Sequence, residues 1–311
     1  MAETISTQIL EIFKRAGVKR EVEKDIEVLK KAALTFVPIV SAAESFRVSC
    51  QRVDKQFPIH SVDIEKIVGE VLYMASKTRV NLKTPALDFQ VEIGQDGIFL
   101  FGEKIRGYGG MPYGSAGKLV SLISSGIDSP VATFLMMKRG VEPILLHFQI
   151  SEEDSQKVLK LKKKLEEYAS GREIKTYIIP RDDIFKGKFS QLYNNDRFHS
   201  YLCVMCKYLM HRKAGEIAKQ ENALGIITGD NLAQVASQTL KNLFAYHLVS
   251  GYPVYSPLIS AEKENTVNIS REIGTFELSI EKAQGCTPPR SPKTGVSLLA
   301  FQNLLKETGL V

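Results

Sequence analysis

Four short and almost uninterrupted apolar runs mark the second half of the chain: LVSLI (119–123), PILLHF (143–148), KTYIIP (175–180) and LGIITG (224–229). Helical patterns at 130–139, 155–169, 204–220 and 231–243 alternate with them. A strand that is apolar on both faces is satisfied only where both faces are covered. Strands alternating with helices achieve this in βαβ units. The pattern therefore predicts an α/β fold built on a doubly wound parallel sheet from residue 118 to 311.

The first part reads differently. Residues 1–43 are mostly helical in pattern, as in STQILEIFKRAG, and SFRVSCQRV (45–53) alternates like a half-buried strand. HSVDIEKIVGEVLYMASKT (60–78) is an amphipathic helix with Ser61 as the expected N-cap. ALDFQVEIGQDGIFLFGEKI (86–105) reads as two strands around a G-x-D-G turn. That is an α+β unit over 1–106. GYGGMPYGSAG (107–117), rich in glycine, is the expected linker.

Composition narrows the function. The 311 residues are 44% hydrophobic and 24% charged, with a net charge of +6. That is an ordinary globular balance, and any nucleic-acid surface must be a local patch. No apolar run approaches the ~20 residues of a membrane span, and the N-terminus has no signal or transit pattern. The expectation is a cytoplasmic protein with no membrane partner. Four cysteines are too few for a disulfide framework. Cys203 and Cys206 form C-x-x-C, a spacing that points to metal or redox chemistry. On a helix the two thiols share a face, and a helix N-terminus there would lower their pKa.

SSGIDS (124–129) follows the first apolar run and precedes a helix opened by Pro130. In a doubly wound sheet, ligands bind beyond the carboxyl ends of the strands, where free N–H groups attract phosphate. Ser124, Ser125 and Ser129 add hydroxyls, and Gly126 lets the backbone approach a ligand. Asp128 repels phosphate unless it holds Mg²⁺ or positions a nucleophile. Taken alone, the same residues also fit a plain helix cap.

The stretch resembles the PP-loop, S-G-G-x-D-S, of ATP pyrophosphatases of the adenine nucleotide alpha hydrolase-like fold. IDSPVATFLMMKRGVE (127–142) extends the likeness to the ThiI family of tRNA 4-thiouridine synthetases. Ser125 departs from the family's Gly. YLCVMCKYLMHRKAGEIA (201–218), GIITGDNLAQVASQTLKNL (225–243) and PLISAEKENTVNISREIGTFELSIEKAQGCT (257–287) resemble further ThiI segments. SFRVSCQRVDKQFPIHSVDIEKIVGEVL (45–72) and VNLKTPALDFQVEI (80–93) resemble the tRNA-binding THUMP domain, preceded here by a shortened N-terminal region.

The resemblance implies ATP at Ser124, Ser125, Gly126, Ile127, Asp128, Ser129, Gly229, Asn231, Gln234 and Gln238. It implies Asp128, Lys263 and Cys286 as catalytic residues. Arg47, Arg52 and Lys55 would contact tRNA phosphates. The chain ends without the rhodanese domain of bacterial members. In the shorter archaeal-type members, C-x-x-C plus a later cysteine can hold an iron–sulfur cluster, and Cys203, Cys206 and Cys286 fit that pattern. Zinc is the rival metal, with His211 a poor fourth ligand. The implied activity is adenylation of a tRNA uridine, at position 8, followed by sulfur replacement of its carbonyl oxygen. The sulfur donor would be sulfide or a persulfide, and the chain a possible homodimer. Thiolation of another tRNA base, or a tRNA-binding protein with a decayed loop, are the competing readings.

Overall fold

A computed structural model describes residues 19–21, 24–102, 107–283 and 285–310. The helical reading of 6–17 lies outside the described residues. The chain divides into two compact units, Met1–Gly107 and Tyr108–Val311.

The first unit comprises β1 (Lys19–Glu21), α1 (Ile26–Leu34), α2 (Val37–Ser41), β2 (Phe46–Arg52), α3 (Ser61–Ser76), β3 (Leu87–Gly94) and β4 (Gly97–Phe101). The sheet order is β1-β4-β3-β2, with β2 and β3 parallel and the other pairs antiparallel. The core is made by periodicity. Ile64, Val68 and Leu72 recur every four residues on α3 and meet Leu29, Ala32 and Ala33 of α1 and Phe89, Val91 and Ile93 of β3. Asp25 caps α1 by accepting from the Glu27 and Val28 N–H groups. Ser61 is not the cap of α3. It is the first helical residue, and His60 holds the cap position without a side-chain bond. Glu65, from the first turns, accepts instead from Cys50 N at 2.9 Å, which ties the helix to β2.

The second unit carries β5 (Gly117–Ile123), α4 (Asp128–Met137), β6 (Val141–Gln149), α5 (Glu152–Glu166), β7 (Thr176–Pro180), α6 (Leu202–Glu221), β8 (Ile226–Ile227), α7 (Leu240–His247), β9 (Val254–Tyr255), α8 (Lys263–Glu272) and α9 (Leu298–Thr308). Shorter helical turns fill the connections. The sheet is parallel throughout, in the order β7-β6-β5-β8-β9. The order reverses beside β5, so a crevice opens beyond the carboxyl ends of β5 and β8. Burial explains the continuous apolar run of β5. Val120 and Leu122 pack in the cluster with α6 and α9, whereas Leu119 and Ile123 pack with α4 and α5.

Two expectations change here. The stretch 108–117 is laid against the second unit: Met111 N donates to Lys138 O and Ala116 N to Gly140 O, both at 2.9 Å. Gly110 makes this contact possible, since a Cβ there would lie 2.0 Å from Lys138 O. Residues 231–239 form turns, and α7 starts only at Leu240, capped by Thr239. Polar side chains that bond to nearby backbone compete with the helix ladder. Asn242 Nδ2 donates to Ala236 O at 2.8 Å and Lys293 O at 2.9 Å, and Ala233 has φ +64°.

Candidate active site

The loop after β5 is closed by its own serines. Ser124 N donates to Ser129 Oγ at 2.8 Å, the two hydroxyls are 3.0 Å apart, and Ser129 Oγ donates back to Ser124 O at 3.2 Å. Helix α4 begins at Asp128, with half-buried Ile127 at the cap position and no side-chain cap. Asp128 therefore does not serve as the N-cap. Ser124 and Gly126 are exposed.

Ser125 finds a partner on another element. It lies beside the carboxylate of Asp154, on α5, and helps to stabilise its charge. Asp154 is buried and lies 3.3 Å from Nε2 of buried His147, whose Nδ1 faces Ile123 O at 3.2 Å. Burial pushes the Asp154 pKa up, but the bonds from His147 and Ser125 outweigh it and the carboxyl ends below its ordinary value.

Asp128 meets Lys263, the first residue of α8, with Nζ 2.5 Å from Oδ1. Gly229 brings the loop after β8 onto the same helix start. A Cβ there would lie 2.9 Å from Ser129 N and 3.0 Å from the Asp128 carbonyl carbon, so glycine is required for steric reasons.

The amides beyond Gly229 are largely engaged in the loop itself. Asn231 Nδ2 donates to Ala261 O at 2.6 Å, and Gln238 Nε2 to Asp230 Oδ1 at 3.1 Å. Gln234 is exposed, and with Asn231 and Lys263 it lines a cavity of about 440 Å³. Burial opposes the charge on Asp230, but the Lys207 ammonium and a His247 hydrogen bond hold its carboxyl far below the usual range.

A second cavity, of about 320 Å³, joins the loop to the cysteines. Ser124, Ser125 and Gly126 line it together with Cys203, Cys206 and Cys286. Cys203 and Cys206 sit in the first turns of α6, and Cys286 is exposed, with Arg181 Nη1 3.5 Å from its sulfur. The helix N-terminus does not lower the thiol pKa values. Burial dominates, pushing Cys203 up to about 11 and Cys206 up to about 12, so both are thiols at neutral pH without a metal.

Three sulfur donors lining one cavity suit a metal centre. Among the described residues, the three ligand atoms that fall within 4.8 Å of one another are those of His211, Asp230 and His247, not the cysteines. His211 belongs with Asp230 and His247, so it is no ligand of the cysteine site.

The expected RNA contacts lie in the first unit. Arg47 is committed to Asp88 Oδ2 at 2.6 Å and Leu82 O at 3.2 Å, and Arg52 to Phe57 O at 2.8 Å and Ile59 O at 3.1 Å. Lys55 is exposed.

Several residues of the site escape the sequence reading: His147, Asp154, Lys157, Arg181 and Lys207. His147 and Arg181 could have been found, because they stand at the carboxyl ends of apolar runs, where a parallel sheet binds its ligands. Lys157, read as part of a charged helix face, is buried and donates to Ser279 O and Glu281 O, both at 2.7 Å. Ser279 Oγ in turn donates to Gly126 O at 3.4 Å. The segment leading to Cys286 is thereby fastened to the serine loop. Nothing in a run of lysines signals that role.

Comparison with known proteins bears on this arrangement. The ThiI family, described as thiamine biosynthesis protein, matches residues 114–307, and the THUMP domain matches residues 23–103. A probable tRNA sulfurtransferase of Thermococcus kodakarensis is 40% identical over 267 residues, covering 83% of this chain and 69% of the relative. One of Methanocaldococcus jannaschii is 40% identical over 272 residues, covering 86% and 69%. Among solved structures, a 4-thiouridine synthetase–RNA complex with bound ATP is similar with a TM-score of 0.82 and 29% identity. It covers 94% of this chain and 77% of that one. No helix among the described residues is long and apolar enough to cross a membrane.

Proposed function

Because the chain belongs to the ThiI family, we propose that it is an ATP-dependent tRNA sulfurtransferase that converts a tRNA uridine, at position 8, to 4-thiouridine. The observation that carries this reading is the shared cavity. The serine loop and three cysteines face one space, so activation and sulfur delivery can act on the same base.

The uridine O4 attacks the α-phosphorus of ATP, pyrophosphate leaves, and the N3 proton is lost. A carbonyl oxygen is a poor leaving group and AMP a good one, so sulfur can then displace AMP at C4. Backbone N–H groups of 124–129 and the serine hydroxyls would hold the phosphates. Asp128 would hold Mg²⁺ once nucleotide draws Lys263 away, and Lys263 would then offset charge developing on the phosphates. Cys203, Cys206 and Cys286 would hold an iron–sulfur cluster, which supplies an open iron for sulfide. Arg181 Nη1, 3.5 Å from the Cys286 sulfur, would place a donor beside the sulfur-delivery site. The remaining partners are tRNA, bound with help from the THUMP unit, and a sulfide or persulfide donor; a cytoplasmic enzyme fits these partners.

The test is anaerobic incubation of the protein with unmodified tRNA, Mg-ATP and sulfide, followed by mass spectrometry of the digested nucleosides. 4-Thiouridine that disappears in Asp128→Ala is expected. ATP cleavage without any thionucleoside would rule out this product.

A further inference from the structure

His211 lies on α6 and is 0% exposed, yet neither of its ring nitrogens has a hydrogen-bond partner. An imidazole carries two nitrogens that each seek a partner. Buried polar groups left bare in a native fold call for a bound water or ion.

The surroundings favour an ion. Each of His211, Asp230 and His247 offers one ligand atom, and these atoms lie within 4.8 Å of one another. They come from three elements: α6, the loop after β8, and α7. His247 Nε2 is 3.2 Å from Asp230 Oδ2. A tetrahedron with metal–ligand bonds of about 2.0 Å has edges of about 3.3 Å. Asp230 is 0% exposed, and its other oxygen is taken by Lys207 Nζ and Gln238 Nε2, each at 3.1 Å. Those bonds fix the carboxylate and leave Oδ2 toward the imidazoles, as outer partners do in metal sites. The two histidine rings lie 5.1 Å apart, tilted by 35°.

We propose that His211, Asp230 and His247 bind one divalent transition-metal ion of the zinc type, at a site separate from the three cysteines. Two imidazoles and one carboxylate suit Zn²⁺, Co²⁺ or Ni²⁺. Lys207 places a positive charge beside the carboxylate. That penalises Mg²⁺ and Ca²⁺, which rely on oxygen ligands and gain nothing from imidazole. The ligand atoms, spread over up to 4.8 Å, must draw together for the site to close. An ion there would pin α6, the helix carrying Cys203 and Cys206, to the loop that Gly229 seats on α4. Binding itself does not depend on the thiolation reading.

Cobalt titration of chelator-stripped full-length protein, under anaerobic conditions, tests the site. The probe is Co²⁺ alone, and the protein carries Cys203→Ser, Cys206→Ser and Cys286→Ser together. One equivalent of Co²⁺ is expected, with a visible ligand-field band and no thiolate charge-transfer band. In the same background His211→Leu and His247→Gln should each weaken binding by about 10–100-fold or more, and Mg²⁺ should not compete. Zn²⁺ should raise the thermal midpoint of the serine background and leave that of His211→Leu unmoved. The thermal midpoint of metal-free His211→Leu against that of the metal-free serine background separates a folding defect from a binding defect. Absence of Co²⁺ binding in the serine background, or equal binding in His211→Leu, overturns the proposal. Loss of 4-thiouridine formation in the serine background bears on the cysteines alone.

Discussion

Lys263 Nζ lies 2.5 Å from Asp128 Oδ1, across 135 residues of chain. The pair joins the first residue of α8 to the first residue of α4 at the mouth of the serine loop. Both side chains are partly exposed, so their attraction contributes ~1 kcal/mol or less to stability. Its significance is chemical: a carboxylate and an ammonium stand together where a triphosphate with its metal would exchange partners. Asp128→Asn and Lys263→Met are expected to leave the thermal midpoint nearly unchanged. Each should lower the rate of tRNA-dependent pyrophosphate release by about 10²–10³-fold. Stopped-assay pyrophosphate measurement checks the rate, and a melt checks the fold.

Ser125 and Asp154 should behave as a coupled pair. Asp154→Ala removes the carboxylate beside Ser125 and 3.3 Å from buried His147 Nε2, so a loss of roughly 1–3 kcal/mol in unfolding free energy is expected. Ser125→Gly alone should retain Mg-ATP binding. In a double-mutant cycle the combined variant should be less destabilised than the sum of the two single changes. Additive effects would show that the hydroxyl is not held by Asp154.

Gly229→Ala places a methyl 2.9 Å from Ser129 N. Overpacking of this kind costs about 1–3 kcal/mol, and the displaced backbone belongs to the phosphate loop. Weaker Mg-ATP binding, measured by calorimetry, should accompany the lower stability.

Cys50 provides a pH signature of the first unit. Burial above all, and the nearby Glu65 charge, push its thiol up to about 11 from an ordinary 9.0. The unfolded chain then loses this proton first as pH rises. Stability contributed by the group is present below pH 9 and is lost as pH climbs toward 11. Urea unfolding of the THUMP unit should therefore weaken over that window, and less so in Cys50→Ala.

Arg47 and Arg52 are tied to their own unit, and Lys55 is exposed. Lys55→Ala should reduce the salt dependence of tRNA binding by a slope of about 0.7–0.9. Arg47→Ala should lower the thermal midpoint of the THUMP unit, because it removes one donor to Asp88 and the donor to Leu82 O. An equal change of salt slope in both variants would mean that Arg47 abandons Asp88 for RNA.

Much of the fold was legible because burial writes directly into sequence. The runs containing Val120, Leu122, Ile144 and Leu146 are apolar on both faces since both faces are covered. Strand β9 was missed, having only two residues, Val254 and Tyr255. The turns at 231–239 were read as helix because Asn231, Gln238 and Asn242 bond to backbone and side chains that a local pattern cannot reveal. The serine loop and C-x-x-C were visible as motifs, and their common cavity was not. The Ser125–Asp154 contact and the buried Lys157 depend on long-range packing, which leaves no spacing to read.

The parallel sheet also divides the second unit into a working end and an idle one. The serine loop after β5 and the Gly229 loop after β8 both leave the carboxyl end of a strand. The turn at 171–173, before β7, emerges at the other end, and its residues are exposed. A fluorescent tag or short insertion there would report on the enzyme without touching its chemistry, since exposed loop tips tolerate such additions. The fold thus provides its own handle for immobilisation, at the end of the sheet opposite the serine loop.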